Sequence, residues 1–369
     1  MMDSLEGKGF FIWKIPYCDR GNPVAMVERA RTAGLTHVLI KIADGANWAY
    51  NYDYKTKVDM IPPVLQAFHE AEIDVWGWHY VRGDDPVGEA RMGIDRVREL
   101  GVDGYVIDAE IEYKNPGKRL AARRYMSELR AALPNLPMAL STFRYPARHH
   151  QLPYAEFLQS CDYAMPQVYF EGAHNPEEQL QMSFDQFAAL QPSRPVIPTA
   201  PTYSIGGWRP TIDEIARFAR KALDLGLLGM NAWSWDYATR SNQLDLWNAV
   251  ADFDWSPKPP GDAVPDKLIS LLNAHDVGFV PSIYTPDAAH VTGARTAIGV
   301  EAVQAWYAQL FGQLLPGATF QLTGKNAAGR TVHFTWTATS DRGSVLDGND
   351  TLSLRDGKIQ YHYTYFTLT

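Results

Sequence analysis

From the N-terminus to about Phe253 the sequence alternates strand-like and helix-like segments, and few architectures accept that pattern. The strand candidates are GFFIWKI (9–15), THVLIKIA (36–43), DVWGWHY (74–80), GYVIDAEIE (104–112), PMALSTF (137–143), DYAMPQVYF (162–170), PVIPTAP (195–201) and LGMNAWSW (228–235). Between them run segments such as PVAMVERARTAG, VGEARMGIDRVRELG, KRLAARRYMSELRAAL and IDEIARFARKALDLG, with apolar residues three and four apart and several glycine ends. Strands separated by helices must pair in parallel. Eight of them within about 250 residues predict an α/β fold closed as a (β/α)8 TIM barrel. A doubly wound open sheet is disfavoured, because no glycine-rich phosphate turn follows the first strand.

The segment SPKPPGDAVP (256–265) ends the alternation with four prolines in ten residues, the composition of a stiff, extended linker. Beyond it, DKLISLLNAHD and VEAVQAWYAQLFGQL read as helices. ATFQLTGKN, RTVHFTWTATS, GNDTLSLRDG and KIQYHYTYFTL then read as strands. That order predicts an α+β domain with an antiparallel sheet. The expected organisation is a barrel over 1–255, a linker over 256–265 and a second domain over 266–369.

A net charge of −8 and the absence of a basic cluster with interleaved aromatics argue against nucleic acid. No apolar run approaches the roughly 18 residues of a membrane span. The opening MMDSLEGKGF lacks a signal-peptide pattern, so a cytoplasmic location is expected, or a secreted one if the chain has been trimmed. Two cysteines, Cys18 and Cys161, fall at opposite ends of the expected barrel and form no disulfide framework.

Within DGYVIDAEIEY (103–113), Val106, Asp108, Glu110 and Glu112 share one face of a strand. Carboxylates on a buried face are costly without a reason. In a barrel that face points into the mouth, with Asp108 deepest and Glu112 at the lip. A deep carboxyl beside another should hold its proton, which suits a general acid. Other strand ends are expected at the same mouth: Lys41 and Asp44, Trp78 and Tyr80, Gln167 and Tyr169, and Trp233, Trp235 and Asp236. Indoles beside carboxylates and amides match a sugar ring. The plainer alternatives are barrel packing for Trp78 and Trp233, an ion pair for Lys41 with Asp44 or Glu110, and a lip pairing of Glu112 with Lys114. No metal set is visible: His79 stands alone, and His149 and His150 sit together on a loop. No cofactor is expected.

DGYVIDAE resembles the D-G-x-D-x-D-x-E signature of glycoside hydrolase family 18, with Val106 in place of the first inner acid. MPQVYF and GMNAWSWDY resemble the sixth and eighth strands of its plant chitinase-lysozyme branch. IKIADG, WGWHYVRGDDPVGEA and IDAE are similar to pieces of glycoside hydrolase family 25, whose first-strand acid FFIWKIP lacks. The resemblance implies a glycosidase acting on N-acetylhexosamine polymers of the chitin or peptidoglycan type. Glu110 would be its general acid/base and Asp108 the orienting partner. A family-18 mechanism would add Tyr169 and Gln167 steadying the substrate's acetamido group. In a family-25 mechanism Asp108 and Glu110 would act directly on a muramic linkage. The departures leave a non-hydrolytic glycan-binding barrel as the alternative.

The tail, from FVPSIYTPDAAHVTG to the L-R-D-G-K-I hairpin, resembles the nuclear-transport-factor-2-like (SnoaL-like) fold, a cone-shaped α+β domain with an apolar pocket. The resemblance implies a small apolar ligand, a dimer contact or a second activity there. Pocket candidates are Trp306, His333, Trp336 and Asp350, with His333 and Asp350 as a possible pair.

Overall fold

The computed structural model describes residues 5–240, 242–255, 264–328, 331–355 and 358–369. The chain divides into two compact units, Met1–Ser256 and Pro257–Thr369. Of the linker read at 256–265, residues 256–263 lie outside the described residues, as do Asp356 and Gly357 of the expected hairpin.

Among the described residues of the first unit, eight parallel strands close on themselves: β1 (Gly7–Ile12), β2 (His37–Asp44), β3 (Asp74–Val81), β4 (Gly104–Ala109), β5 (Met138–Phe143), β6 (Tyr163–Gln167), β7 (Thr199–Pro201) and β8 (Gly229–Trp233). Each pairs with its sequence neighbours, and β1 pairs with both β2 and β8, which seals the barrel. The longer helices around it are α1 (Pro23–Thr32), α2 (Ile61–Glu70), α3 (Pro86–Leu100), α4 (Lys118–Ala132), α5 (Pro176–Ala188), α6 (Ile212–Asp224) and α7 (Leu244–Ala251).

Local chemistry sets these boundaries. The side chain of Asn22 accepts the Ala25 N–H ahead of α1, and Pro23 spends no donor at its first position. Thr211 and Glu214 form a reciprocal capping box on α6. Gly101 ends α3 at φ 71°, a left-handed conformation that a side chain would strain.

Period-two alternation sorts the strand side chains into two cores. Phe11, Leu39, Trp76, Trp78, Val106, Ala139, Met165 and Ile197 fill the barrel interior. Phe10, Ile12, Val38, Ile40, Tyr105, Ile107 and Leu140 point outward into the layer beneath the helices. Gly104 opposes Trp76 across β3 and β4; a Cβ there would lie 2.3 Å from the indole, so the large ring requires the missing side chain. Below the barrel, Lys8 Nζ donates to the carbonyls of Val250, Ala251 and Phe253 at 3.0, 2.9 and 2.6 Å, capping the end of α7. Cys18 and Cys161 are free and buried.

β4 is shorter than its sequence pattern. It stops at Ala109, and Ile111–Lys114 is a 3-10 turn, so Ile111 is 63% exposed instead of joining Tyr105 and Ile107 under the helices. Alternating acids imitate strand periodicity past the point where the neighbouring strands still offer hydrogen bonds.

The second unit has two longer helices, α8 (Val264–Asn273) and α9 (Val300–Gln309), and a sheet of six described strands. These are β9 (Tyr284–Val291), β10 (Thr296–Ile298), β11 (Thr319–Ala328), β12 (Thr331–Ser340), β13 (Gly343–Arg355) and β14 (Lys358–Tyr365), in spatial order β10-β9-β14-β13-β12-β11. The sheet is mixed, which corrects the antiparallel expectation: β9 runs parallel to β14. Pro265 belongs to α8, not to a linker. Val332, Phe334, Trp336 and Ala338 alternate into a core shared with α8 and α9.

Candidate functional site

At the C-terminal ends of the barrel strands lies an open cleft of about 490 Å³, where ligands of (β/α)8 folds bind. Asp108 comes from the end of β4, Phe143 from β5, Gln167 from β6 and Trp233 from β8. Glu110 lies one residue beyond β4, and Tyr169 two beyond β6.

One amide organises the floor. Gln167 Nε2 donates to Asp108 Oδ1 at 3.0 Å and Glu110 Oε1 at 2.9 Å, with Ser141 Oγ at 3.2 Å. Asp108 is 6% exposed, and burial pushes its carboxyl well above the usual range; the facing charge of Glu110 raises it further. The two carboxyls share the Gln167 amide and lie close enough for each to bear on the other's charge. Burial also raises Glu110, against the opposing pull of the Gln167 N–H. Among the described residues Glu110 has no ion-pair partner, and it opens onto the cleft.

Of the sequence candidates, Asp108, Glu110, Gln167, Tyr169 and Trp233 line this cleft together. Trp233 packs its ring 5.5 Å from Trp78 and 5.6 Å from Phe11. Trp78 itself is 2% exposed in the interior core and donates from Nε1 to the Ile12 carbonyl. It forms the floor beneath the cleft.

Lys41, Asp44, Tyr80 and Glu112 form an adjoining polar group. Lys41 Nζ meets Asp44 Oδ2 at 2.7 Å and lies over the Tyr50, Trp78 and Tyr80 rings; Arg82 grips the other Asp44 oxygen at 2.5 Å. Burial lowers the Lys41 ammonium, partly offset by Asp44. Burial would raise Asp44, but Lys41 and Arg82 bring it below its ordinary value. Tyr80 donates to Glu112 Oε2 at 2.8 Å, so Glu112 is engaged there and not with Lys114.

Trp235 and Asp236 do not reach the mouth, correcting the expectation for them. They begin the short helix Trp235–Ala238, which turns the chain outward after β8. Trp235 is fully buried against Trp247 and Phe10 and donates to Asp19. Asp236 accepts from the Trp13 backbone N–H and the Ser234 hydroxyl. His79 is likewise buried in the wall, between the Tyr105 hydroxyl and the Gly45 carbonyl.

Sequence reading missed Tyr203, Glu171, Arg144, Tyr145 and Arg148, all lining the cleft. They follow β7, β6 and β5, and their signal is position alone: each lies within a few residues of a strand's C-terminal end.

In the second unit, Trp306, Trp336 and Asp350 are buried while His333 is exposed, bonded to Thr351. His333 and Asp350 are not a pair. β12 alternation turns His333 away from the core, and the histidine that meets Asp350 is His362 of β14, at 2.8 Å. His362 in turn bonds the Tyr284 hydroxyl at 2.6 Å, and Trp336 Nε1 donates to Asp350 at 3.0 Å. Trp306 and Thr364 border a cavity of about 380 Å³. Beside it His290 stacks on Trp306, its Nδ1 buried without a hydrogen-bond partner among the described residues.

Residues 266–362 match the SnoaL-like domain family. A chitinase structure from Bacteroides thetaiotaomicron is similar over 67% of this chain and 96% of its own, at 14% identity and a TM-score of 0.53. A SnoaL-like family protein from Agrobacterium tumefaciens aligns over 29% of this chain and 97% of its own, with 20% identity and a TM-score of 0.26. A nuclear-transport-factor-2-like protein from Cytophaga hutchinsonii aligns over 31% and 95%, with 12% identity and a TM-score of 0.25. No curated protein matches the sequence. The chain thus joins a closed eight-stranded parallel barrel, similar in fold to a chitinase structure, to a SnoaL-like domain.

Proposed function

We propose that the barrel hydrolyses N-acetylhexosamine polysaccharides with retention, using the substrate's acetamido group as nucleophile. The observation that carries this reading is the Asp108–Glu110 carboxyl pair, bridged by the Gln167 amide at the floor of an open cleft. Two carboxyls drawn onto one amide nitrogen address a sugar ring from the same side, whereas direct attack needs a nucleophile and an acid on opposite faces. This favours the acetamido route over direct attack by Asp108.

In that route Glu110 gives its proton to the glycosidic oxygen as the bond from that oxygen to the anomeric carbon breaks. The acetamido oxygen bonds to the same carbon from the opposite face. Asp108 and Tyr169 hold the acetamido group for that attack. Glu110, now a carboxylate, then takes a proton from water, which opens the ring intermediate and restores the configuration. The similarity to a chitinase structure supports the assignment at the level of fold.

The test is turnover of chitin oligosaccharides and peptidoglycan glycan strands by native protein and by Glu110→Gln. Loss of turnover by about 10³-fold with binding retained is expected. Binding by both proteins without turnover by either would instead identify a non-hydrolytic glycan-binding barrel.

A second reading places a binding activity in the SnoaL-like domain. Its support is the unpartnered His290 nitrogen beside the cavity bordered by Trp306 and Thr364. Burial and the neighbouring His362 hold His290 neutral, down to about 2. A small, largely apolar molecule with one hydrogen-bonding group fits that environment.

A further inference from the structure

We infer that the barrel cleft selects glycans bearing an anionic substituent, a carboxylate in the first instance, through Arg144, Arg148 and Lys114; this rests on the glycan-binding reading above. The protein carries a net charge of −8, so cations gathered at one cleft need a local reason. Arg144 and Arg148 both line the cleft that holds Glu110. Each guanidinium lies 5.0 Å from the centre of the same Tyr145 ring. That ring is itself fixed: Tyr145 is 4% exposed, and its hydroxyl donates to Gln179 at 2.9 Å.

Lys114 extends the group from the turn after β4. Its ammonium lies 3.3 Å from His149 Nδ1 and 5.7 Å from the centre of the Phe143 ring. His149 stacks flat on Phe143, with centroids 4.0 Å apart, so the imidazole and the lysine share one aromatic support. Among the described residues none of Lys114, Arg144 and Arg148 has an ion-pair partner, so their charges are open to an incoming anion.

Stacking on aromatic faces costs the cations no hydrogen-bonding capacity and holds them in place. Like charges held together repel, and an anion entering the cleft relieves that repulsion. Guanidinium forks match a carboxylate with two parallel hydrogen bonds. The cleft therefore combines a proton donor, aromatic faces for the ring and a cationic wall, a set matched by an acylated sugar carrying a carboxylate. A neutral polymer uses the first two and leaves the wall idle.

The experiment is calorimetric titration of the full chain, native and Glu110→Gln. Its probes are an oligosaccharide of alternating N-acetylglucosamine and N-acetylmuramic acid and the same oligosaccharide with its carboxyls reduced to alcohols. The carboxylated form is expected to bind about tenfold tighter, with the preference shrinking as salt rises. Arg144→Gln/Arg148→Gln is expected to reduce the preference to within about twofold at an unchanged melting temperature, and Arg148→Lys to keep most of it.

Equal affinities for the two probes, a preference untouched by the double variant, or no binding of either probe overturns the inference. Failure here and failure of the hydrolase reading are distinguishable. Turnover of neutral chitin oligosaccharides with equal probe affinities removes only the anion selectivity. A carboxylate preference without turnover of any polymer removes only the hydrolysis.

Discussion

Asp108 keeps its proton to higher pH than an exposed aspartate does, and this has a signed consequence for stability. Its folded-state pKa is raised by burial above the ordinary 3.8, so the folded state binds more protons than the unfolded one above that pH. Its contribution is therefore fully present below about pH 4 and is lost as pH rises. Asp108→Asn, which keeps the shape and removes the titration, should become the more stable protein with rising pH. We expect the variant to gain on the native protein as pH rises from about 4 to about 8 in denaturant unfolding. A gap that stays constant with pH would mean that the carboxyl is not the proton carrier. Gln167 acts in the opposite sense on Glu110, since its N–H favours the carboxylate. Gln167→Leu should lower kcat about tenfold and move the alkaline limb of the kcat/KM profile to higher pH.

The pair was legible in sequence because acids inside an apolar run are conspicuous. Tyr203 and Arg148 were not, since a tyrosine or arginine in a loop looks ordinary until the barrel closes and brings the loops together.

For the elements, the parallel strands were readable from alternation with helices, whereas their ends were not. β4 ends at Ala109, opposite Val81, the last residue of β3, a fact about its neighbour and not about its own residues. Trp235 and Asp236 were drawn into the expected mouth for the same reason: the chain turns outward at Ser234, where β8 has already ended. In the second unit β9 is hard to read as a strand because its parallel partner, β14, lies some seventy residues later, and the hairpin that follows it leads only to the three-residue β10.

Lys8 offers a test at this scale. It ties β1 to the end of α7 through three carbonyls, and Lys8→Met would leave them without a donor in a buried setting. A loss of about 2–3 kcal/mol in unfolding free energy is expected, with site geometry intact. A change below about 0.5 kcal/mol would show that water caps those carbonyls equally well.

At the scale of the whole molecule, each unit has a core of its own, so each should melt as its own cooperative transition. Asp350→Ala leaves the buried Trp336 N–H without its acceptor and takes one of the two partners of His362 Nε2. Calorimetry of the full chain should show one transition lowered, equivalent to about 2–4 kcal/mol, and the other unmoved. A single transition shifting as one would contradict independent cores.

The indole and aliphatic plug formed by Phe11, Trp78, Val106 and Met165 adds a constraint on the order of events in the barrel. Among the described residues this plug closes the barrel beneath Asp108, so under the proposed hydrolase reading the water that completes the reaction arrives through the entrance the sugar came in by. While the departing half of the polymer still sits there, that entrance is blocked. Reaction with water is thereby delayed until the first fragment has diffused away, and until then an incoming sugar hydroxyl competes for the same opening. A measurable share of transglycosylation at high oligosaccharide concentration is what such a one-door chamber would produce.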